Sequence, residues 1–162
     1  MRAKREKVEE SGDEEQIVSF RLGNETFGVK VSDVREIGKV QNITKIPKMP
    51  EYIEGVMNLR GQVTTVIDLK KRLNIDRSTV LTDQSRIIIA EVSDNQLGII
   101  VDSVEDVIRI PRSSISPPPR TLMATQDSSA LVGICKVKER MIMLMDIGKT
   151  MELNQTMKEV SV

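Results

Sequence analysis

Histidine and tryptophan are absent from this chain of 162 residues, and cysteine occurs once, at Cys135. Without an imidazole there is no Ser-His-Asp or Cys-His nucleophile system, no His-bearing zinc site and no side chain that ordinarily titrates near neutral pH. A lone cysteine excludes an internal disulfide and a cysteine-cluster metal site. Two Phe and one Tyr are too few for a base-stacking platform, and 24 basic against 24 acidic residues leave no net charge to draw nucleic acid. Long hydrophobic runs are missing too. Residues 87–90 and 97–101 fall far short of the roughly 20 apolar residues that cross a bilayer, and no apolar core of a signal peptide follows the charged start. These absences point away from catalysis and cofactors. They also point away from membrane insertion, toward a cytoplasmic protein.

What is present reads as strands. Residues 16–22 alternate Ile17, Ser19 and Arg21 against Val18, Phe20 and Leu22, the period of a half-buried strand. Gly23-Asn24 supplies a turn and residues 26–31 return. The same pattern recurs at 53–59 and 62–69 around Arg60-Gly61, at 86–92 and 97–101 around Ser93-Asp94-Asn95, and at 131–137 and 141–147. Short helices are expected at 68–73 and 147–153, with a weaker signal at 32–37. Residues 1–15 are too charged to bury anything and read as a disordered tail, as do 154–162. Residues 77–84, rich in Ser, Thr and Asp, read as a connection. The Pro117-Pro118-Pro119 run, which lacks backbone donors, reads as extended surface chain.

The chain also repeats itself. Residues 22–34 lie over 92–104 at an offset of 70, Gly28 meeting Gly98, and Glu36-Ile37 then fall on Asp106-Val107. After a slip of eight, Gly55 falls on Gly133 and Asp68 on Asp146. Two small five-stranded β-barrel lobes on a shared aliphatic core follow, an all-β class with a few short helices. Their expected extents are 16–74 plus the chain end, and 85–145.

Individual motifs divide into chemistry and packing. Gly148-Lys149-Thr150 lacks the upstream glycine of a phosphate loop, since Met143 stands there. Met141, Met143 and Met145 alternate on one strand face and suit core filling. Cys135 reads as a small buried hydrophobe. Asp68 and Asp146 sit at strand ends. Capping the following helix is the common role there, and a pair of catalytic carboxylates in a small hydrolase is the alternative. Asp102 reads as a turn residue. Gly55 allows close approach of another backbone. Asn58 and Gly61 suit a tight turn that presents Arg60, whose guanidinium serves either a solvated ion pair or a partner protein.

The segment Gly55-Val-Met-Asn-Leu-Arg-Gly61, followed by Val66-Ile-Asp-Leu69, resembles the signature of the CheW family of chemotaxis coupling proteins. The likeness continues through Phe27-Gly28, residues 34–37, the Pro47/Pro50 loop, residues 97–107, residues 117–119, Gly133 and residues 144–147, spanning 16 to about 153. Thr65 stands where the family usually has proline. The resemblance implies two SH3-like barrels and an adaptor without catalytic activity. Such an adaptor joins transmembrane chemoreceptors to the histidine kinase CheA, in chemotaxis or another chemosensory pathway. Its partners would be the kinase regulatory domain and the receptor's cytoplasmic signalling tip, with recruitment to membrane-associated arrays and weak self-association. Carried over by position, the resemblance assigns Val34, Glu36, Ile37, Arg60 and Val107 to the receptor and Val29, Lys30 and Val31 to the kinase. Gly55, Asn58, Gly61 and Asp68 are its structural motif.

Overall fold

The computed structural model describes residues 13–75, 80–119 and 130–150. Of the expected tail 1–15, residues 1–12 lie outside them, as do 154–162, 77–79 of the expected connection and 151–153 of the last expected helix; Glu14 and Glu15 are no tail but the start of the first strand, because their backbones pair with Pro111 and Ile110. Short aliphatic runs and period-2 alternation form hairpins where they were expected: β1 (Glu14–Leu22) with β2 (Glu25–Lys30), and β4 (Ile53–Leu59) with β5 (Gln62–Asp68). After the β3 strand (Val34–Gly38) counted between these, the later hairpins are β6 (Arg86–Val92) with β7 (Asn95–Val101), and β10 (Leu131–Val137) with β11 (Arg140–Met145). Between the last two stand β8 (Ser103–Pro111) and β9 (Ile115–Ser116). Helix α1 (Leu69–Arg72) is a single turn, and residues 147–150 are helical. The weak helical signal at 32–37 yields one 3-10 turn, Val31–Asp33, before β-branched Val34 and Ile37 join β3.

The strands form two sheets, β8-β1-β2-β11-β10-β9 and β3-β6-β7-β5-β4. The repeat holds residue by residue. Leu22 pairs with Glu25 as Val92 pairs with Asn95, and Gly28 lies parallel to Leu144 as Gly98 lies parallel to Val66. Val34 faces Ala90 and Ile37 faces Ile88 across the β3–β6 pair, just as Val104 faces Phe20 and Val107 faces Val18 across β8–β1. Even the bulges match: the register slips past Arg35 in one pair and past Glu105 in the other. Arg35 bonds Glu91, and at the equivalent bulge Glu105 lies 3.7 Å from Arg21, so the same ion pair is built with its signs exchanged.

The expected lobe boundaries need correction. Each sheet draws strands from both halves of the chain, so neither 16–74 nor 85–145 is a barrel by itself. Only the turn 31–33 separates β2 from β3, and only Asp102 separates β7 from β8. At both places the chain passes from one sheet into the other, and β3 and β8 each edge the other repeat's hairpin.

Among the described residues, three apolar cores result. Ile87, Ile89, Val66 and Ile100 fill one SH3-like barrel with Met57 and Leu59; Ile17, Ile110, Cys135, Ile142 and Leu144 fill the other. The third lies between them and takes Val18, Phe20 and Leu22 from one sheet and Ile88, Ala90 and Ile99 from the other, with Phe20 and Phe27 stacked at 6.2 Å between ring centroids. Strand β6 thus buries both faces, which explains why its run reads Ile-Ile-Ile-Ala rather than alternating. Met143 and Met145 serve the shared core, whereas Met141 is exposed.

Candidate partner-binding site

Arg60 and Gly61 are the two loop residues of the β4–β5 hairpin, with Leu59 and Gln62 paired on either side. Both have positive φ, 53° and 84°, the pattern of a tight hairpin turn that matches strand twist. Asn58 holds it, its Oδ1 accepting the Gly61 N–H at 2.7 Å. A non-glycine residue in the left-handed region costs about 1 kcal/mol, so arginine is a poor choice for the turn alone. Its guanidinium reaches Glu36 on β3, bringing together two residues 24 apart in sequence. The Arg60 side chain is nonetheless 75% exposed. An ion pair in that setting contributes only about 0–1 kcal/mol.

Gly55 fixes what lies beside this hairpin. At φ 143° a Cβ there would stand 2.0 Å from the Thr44 carbonyl oxygen. The bare backbone lets Thr44 and Val56 exchange two hydrogen bonds, at 2.8 and 2.9 Å, folding Val40 and Ile43 over the barrel core. Asp68 caps α1, its Oδ1 accepting the Lys71 N–H at 3.2 Å, and Asp146 accepts the Lys149 N–H at 3.0 Å in the other sheet. Each carboxylate therefore serves its own strand end.

Val34, Glu36 and Ile37 share β3, with Val34 packed against the shared core and Ile37 37% exposed. Val107 belongs to the other sheet, 58% exposed on β8. It is the repeat equivalent of Ile37, and both stand on edge strands that have crossed between repeats. Residues 29–31 divide differently. Val29 is 3% exposed within the shared core, Val31 packs against that core from outside, and Lys30 faces solvent. Burial removes the Val29 side chain from direct contact with any partner and corrects that part of the expectation. Next to this stretch a cavity of about 390 Å³ opens over Ile17, Gly28 and Leu144, with Lys30, Asp33 and the Glu15–Arg112 ion pair among its lining.

Among the described residues, three groups carry shifted protonation equilibria. The Lys71 ammonium, hydrogen-bonded to Glu54 at 2.9 Å, is held above its ordinary pKa, chiefly by that bond. Burial raises the Tyr52 phenol, partly offset by the Arg72 guanidinium 4.9 Å over its ring. Burial also raises the Cys135 thiol. Among the described residues, no group of three or more Cys, Asp or Glu side chains converges as a metal site, and no helix is long and apolar enough to cross a membrane.

Sequence patterning missed β8, because the bulge at Glu105 breaks its alternation. It also missed the Arg35–Glu91 pair and the pairing of Lys70 with Asp102, which join residues 56 and 32 apart. The one signal for the latter was an acid placed directly after five buried residues, Leu97 to Val101.

Comparison with known proteins agrees with this geometry. A family model described as a CheW-like domain matches residues 16–155. The Chemotaxis protein CheW of Bacillus subtilis (strain 168) is 35% identical over 146 residues, covering 90% of this chain and 92% of its own. The scaffolding protein TtCheW from Thermoanaerobacter tengcongensis superposes with a TM-score of 0.78 at 42% identity, over 86% of this chain and 94% of its own. Protein FrzA of Myxococcus xanthus is 30% identical over 106 residues, 65% of this chain and 66% of its own.

Proposed function

The chain belongs to the CheW-like domain family, and from that premise we propose that it is a non-catalytic adaptor whose edge strands receive a chemoreceptor tip while a second face receives the regulatory domain of the histidine kinase CheA. Chemotaxis signalling by such an adaptor is a matter of coupling free energy between two binding events. The observation that carries the reading is the Arg60–Glu36 pair. A guanidinium is kept on a strained turn, braced by Asn58 and Glu36, yet left almost wholly in water. Such an arrangement contributes little to the fold and leaves most of its five donors free for a partner.

Val34, Ile37 and Val107 supply the apolar part of the proposed receptor site, two crossed-over edge strands against which the apolar stripe of a helix can lie. Lys30 and Val31, beside the cavity lined by Ile17 and Leu144, form the proposed kinase face. There an apolar side chain of the kinase domain would enter, and Lys30 would pair at the rim. Asp68 and Asp146 act as helix caps in this account.

The test is titration of the full chain with a receptor signalling-tip fragment and, separately, with the kinase regulatory domain. Binding to both is expected, with Arg60→Asn weakening only the receptor arm and Lys30→Glu only the kinase arm. Folded protein that binds neither fragment would overturn the adaptor reading.

A further inference from the structure

The two crossovers between the barrels occupy equivalent places in the repeat but differ in backbone and chemistry, a 3-10 turn at Val31–Asp33 standing against a single residue at the other. Asp102 is the single residue between β7 in one sheet and β8 in the other. One carboxylate oxygen, Oδ2, accepts the Gly23 N–H at 2.7 Å from the β1–β2 turn, and the other lies 3.2 Å from Lys70 Nζ on α1, which follows β5 in the opposite sheet. The Asp102 N–H closes the junction by donating to the Arg21 carbonyl at 3.0 Å. Only 10% of the Lys70 side chain is exposed, so its stem is buried at the junction and its ammonium meets the partly exposed Asp102 carboxylate there. At the other crossover the repeat places Ser32, Ser93 and Gly148 where Asp102, Gly23 and Lys70 stand. None of those three carries charge.

Most of the remaining barrel–barrel contact is an aliphatic core, whose attraction is non-directional and tolerates small rotations, to which Arg72 Nη2 adds only a long bond to the Thr150 carbonyl at 3.4 Å. Directional bonds are what hold one angle. We propose that Asp102 is a positioning residue that, through Lys70 and the Gly23 N–H, pins the β7–β8 crossover and so sets the angle between the two barrels. The β2–β3 crossover, which carries Val34, Glu36 and Ile37, is left free to adjust. This rests on the proposed receptor site. In this arrangement the site has one fixed wall, β8 with Val107, and one compliant wall, β3. Receptor engagement is then read as a small hinge motion about Asp102.

The test uses Lys70→Met, which keeps the buried stem without the charge, and Asp102→Asn, which keeps an acceptor for Gly23. Spin labels at Val63→Cys and Met141→Cys, exposed equivalents on the two barrels, report the angle between them as a distance distribution. Both variants should fold, broaden that distribution and weaken binding of the receptor-tip fragment by about tenfold, with kinase-domain affinity unchanged. An unaltered distribution in folded variants would overturn the pin. A broadened distribution with undiminished receptor affinity would overturn the positioning role. Failure of the receptor site itself is distinguished by Arg60→Asn: if that variant binds the fragment normally, the site is wrong whatever the labels report.

Discussion

Asp68 and Asp146 occupy the same position in two sheets built by different strands, and each spends one carboxylate oxygen on the backbone N–H three residues ahead. The strand-end N–H groups are matched as well, Asp68 N–H donating to the Tyr52 carbonyl at 2.7 Å and Asp146 N–H to the Ala130 carbonyl at 2.9 Å. The two aspartates are one structural solution used twice.

Replacing either by alanine should therefore cost about 1 kcal/mol, the usual value of a helix cap. Since the two caps belong to separate sheets, the double variant should show the sum to within about 0.5 kcal/mol. Urea midpoints of the two single variants and the double variant decide it. A coupling well above that limit would mean that the carboxylates act as a pair.

Arg60→Asn separates fold from binding. Asparagine tolerates the left-handed conformation better than arginine, so the turn should hold or gain up to about 1 kcal/mol. Receptor-fragment affinity should meanwhile fall by about tenfold, or about 1.4 kcal/mol. Glu36→Gln, which loses the charge that braces the guanidinium, should lie between wild type and Arg60→Asn. Melting curves and binding isotherms on the same samples report both quantities.

Gly55→Ala should be among the most damaging small substitutions in the molecule. The added methyl would collide with backbone, not with a side chain that can swing away, and the residue would also be held at φ 143°. A loss of more than about 2 kcal/mol is expected. Amide exchange should quicken at Thr44 and Val56, whose two mutual hydrogen bonds depend on that approach.

Stability should fall on the alkaline side. Lys71, Tyr52 and Cys135 all hold their protons more tightly folded than unfolded. Above about pH 8.5, where an unfolded cysteine begins to ionise, the unfolded chain binds fewer protons than the folded one and stability drops with pH. The contribution of the Lys71–Glu54 pair is fully present below the ordinary lysine pKa and lost as pH rises through the elevated one. With no histidine, these groups predict a flat profile from pH 6.5 to 8 and a decline above about 9. Urea midpoints across that range check the sign. Lys71→Met should flatten the steepest part, and the Cys135 thiol should resist alkylation until the protein unfolds.

Most of the secondary structure was legible because hairpin strands announce themselves locally, by alternation and by turns such as Gly23-Asn24 and Arg60-Gly61. The repeat was legible for the same reason, and with it the caps at Asp68 and Asp146 and the close approach at Gly55. What stayed hidden depends on where a strand goes once it leaves its hairpin. Nothing local tells Val34 that its neighbour will be Ala90, or Val104 that it will face Phe20. Val29 was assigned to a partner by resemblance alone, and one residue in an alternating strand gives no sign that both faces of the sheet are covered. Lys70 was unreadable in the same way. A lysine on a short helix is ordinarily exposed, and only the assembled junction with Asp102 buries its side chain.

The exchange of β3 and β8 has a consequence for how the molecule comes apart. Each barrel is in effect a heterodimer of chain halves, so neither can survive the loss of the other. Excising one would leave its sheet without an edge strand and the shared core open. Unfolding should accordingly be a single all-or-none event, with heat, denaturant and protease all meeting the same barrier. A chain severed after Ile75 should yield two fragments that are each unstructured alone and that restore both barrels together when mixed.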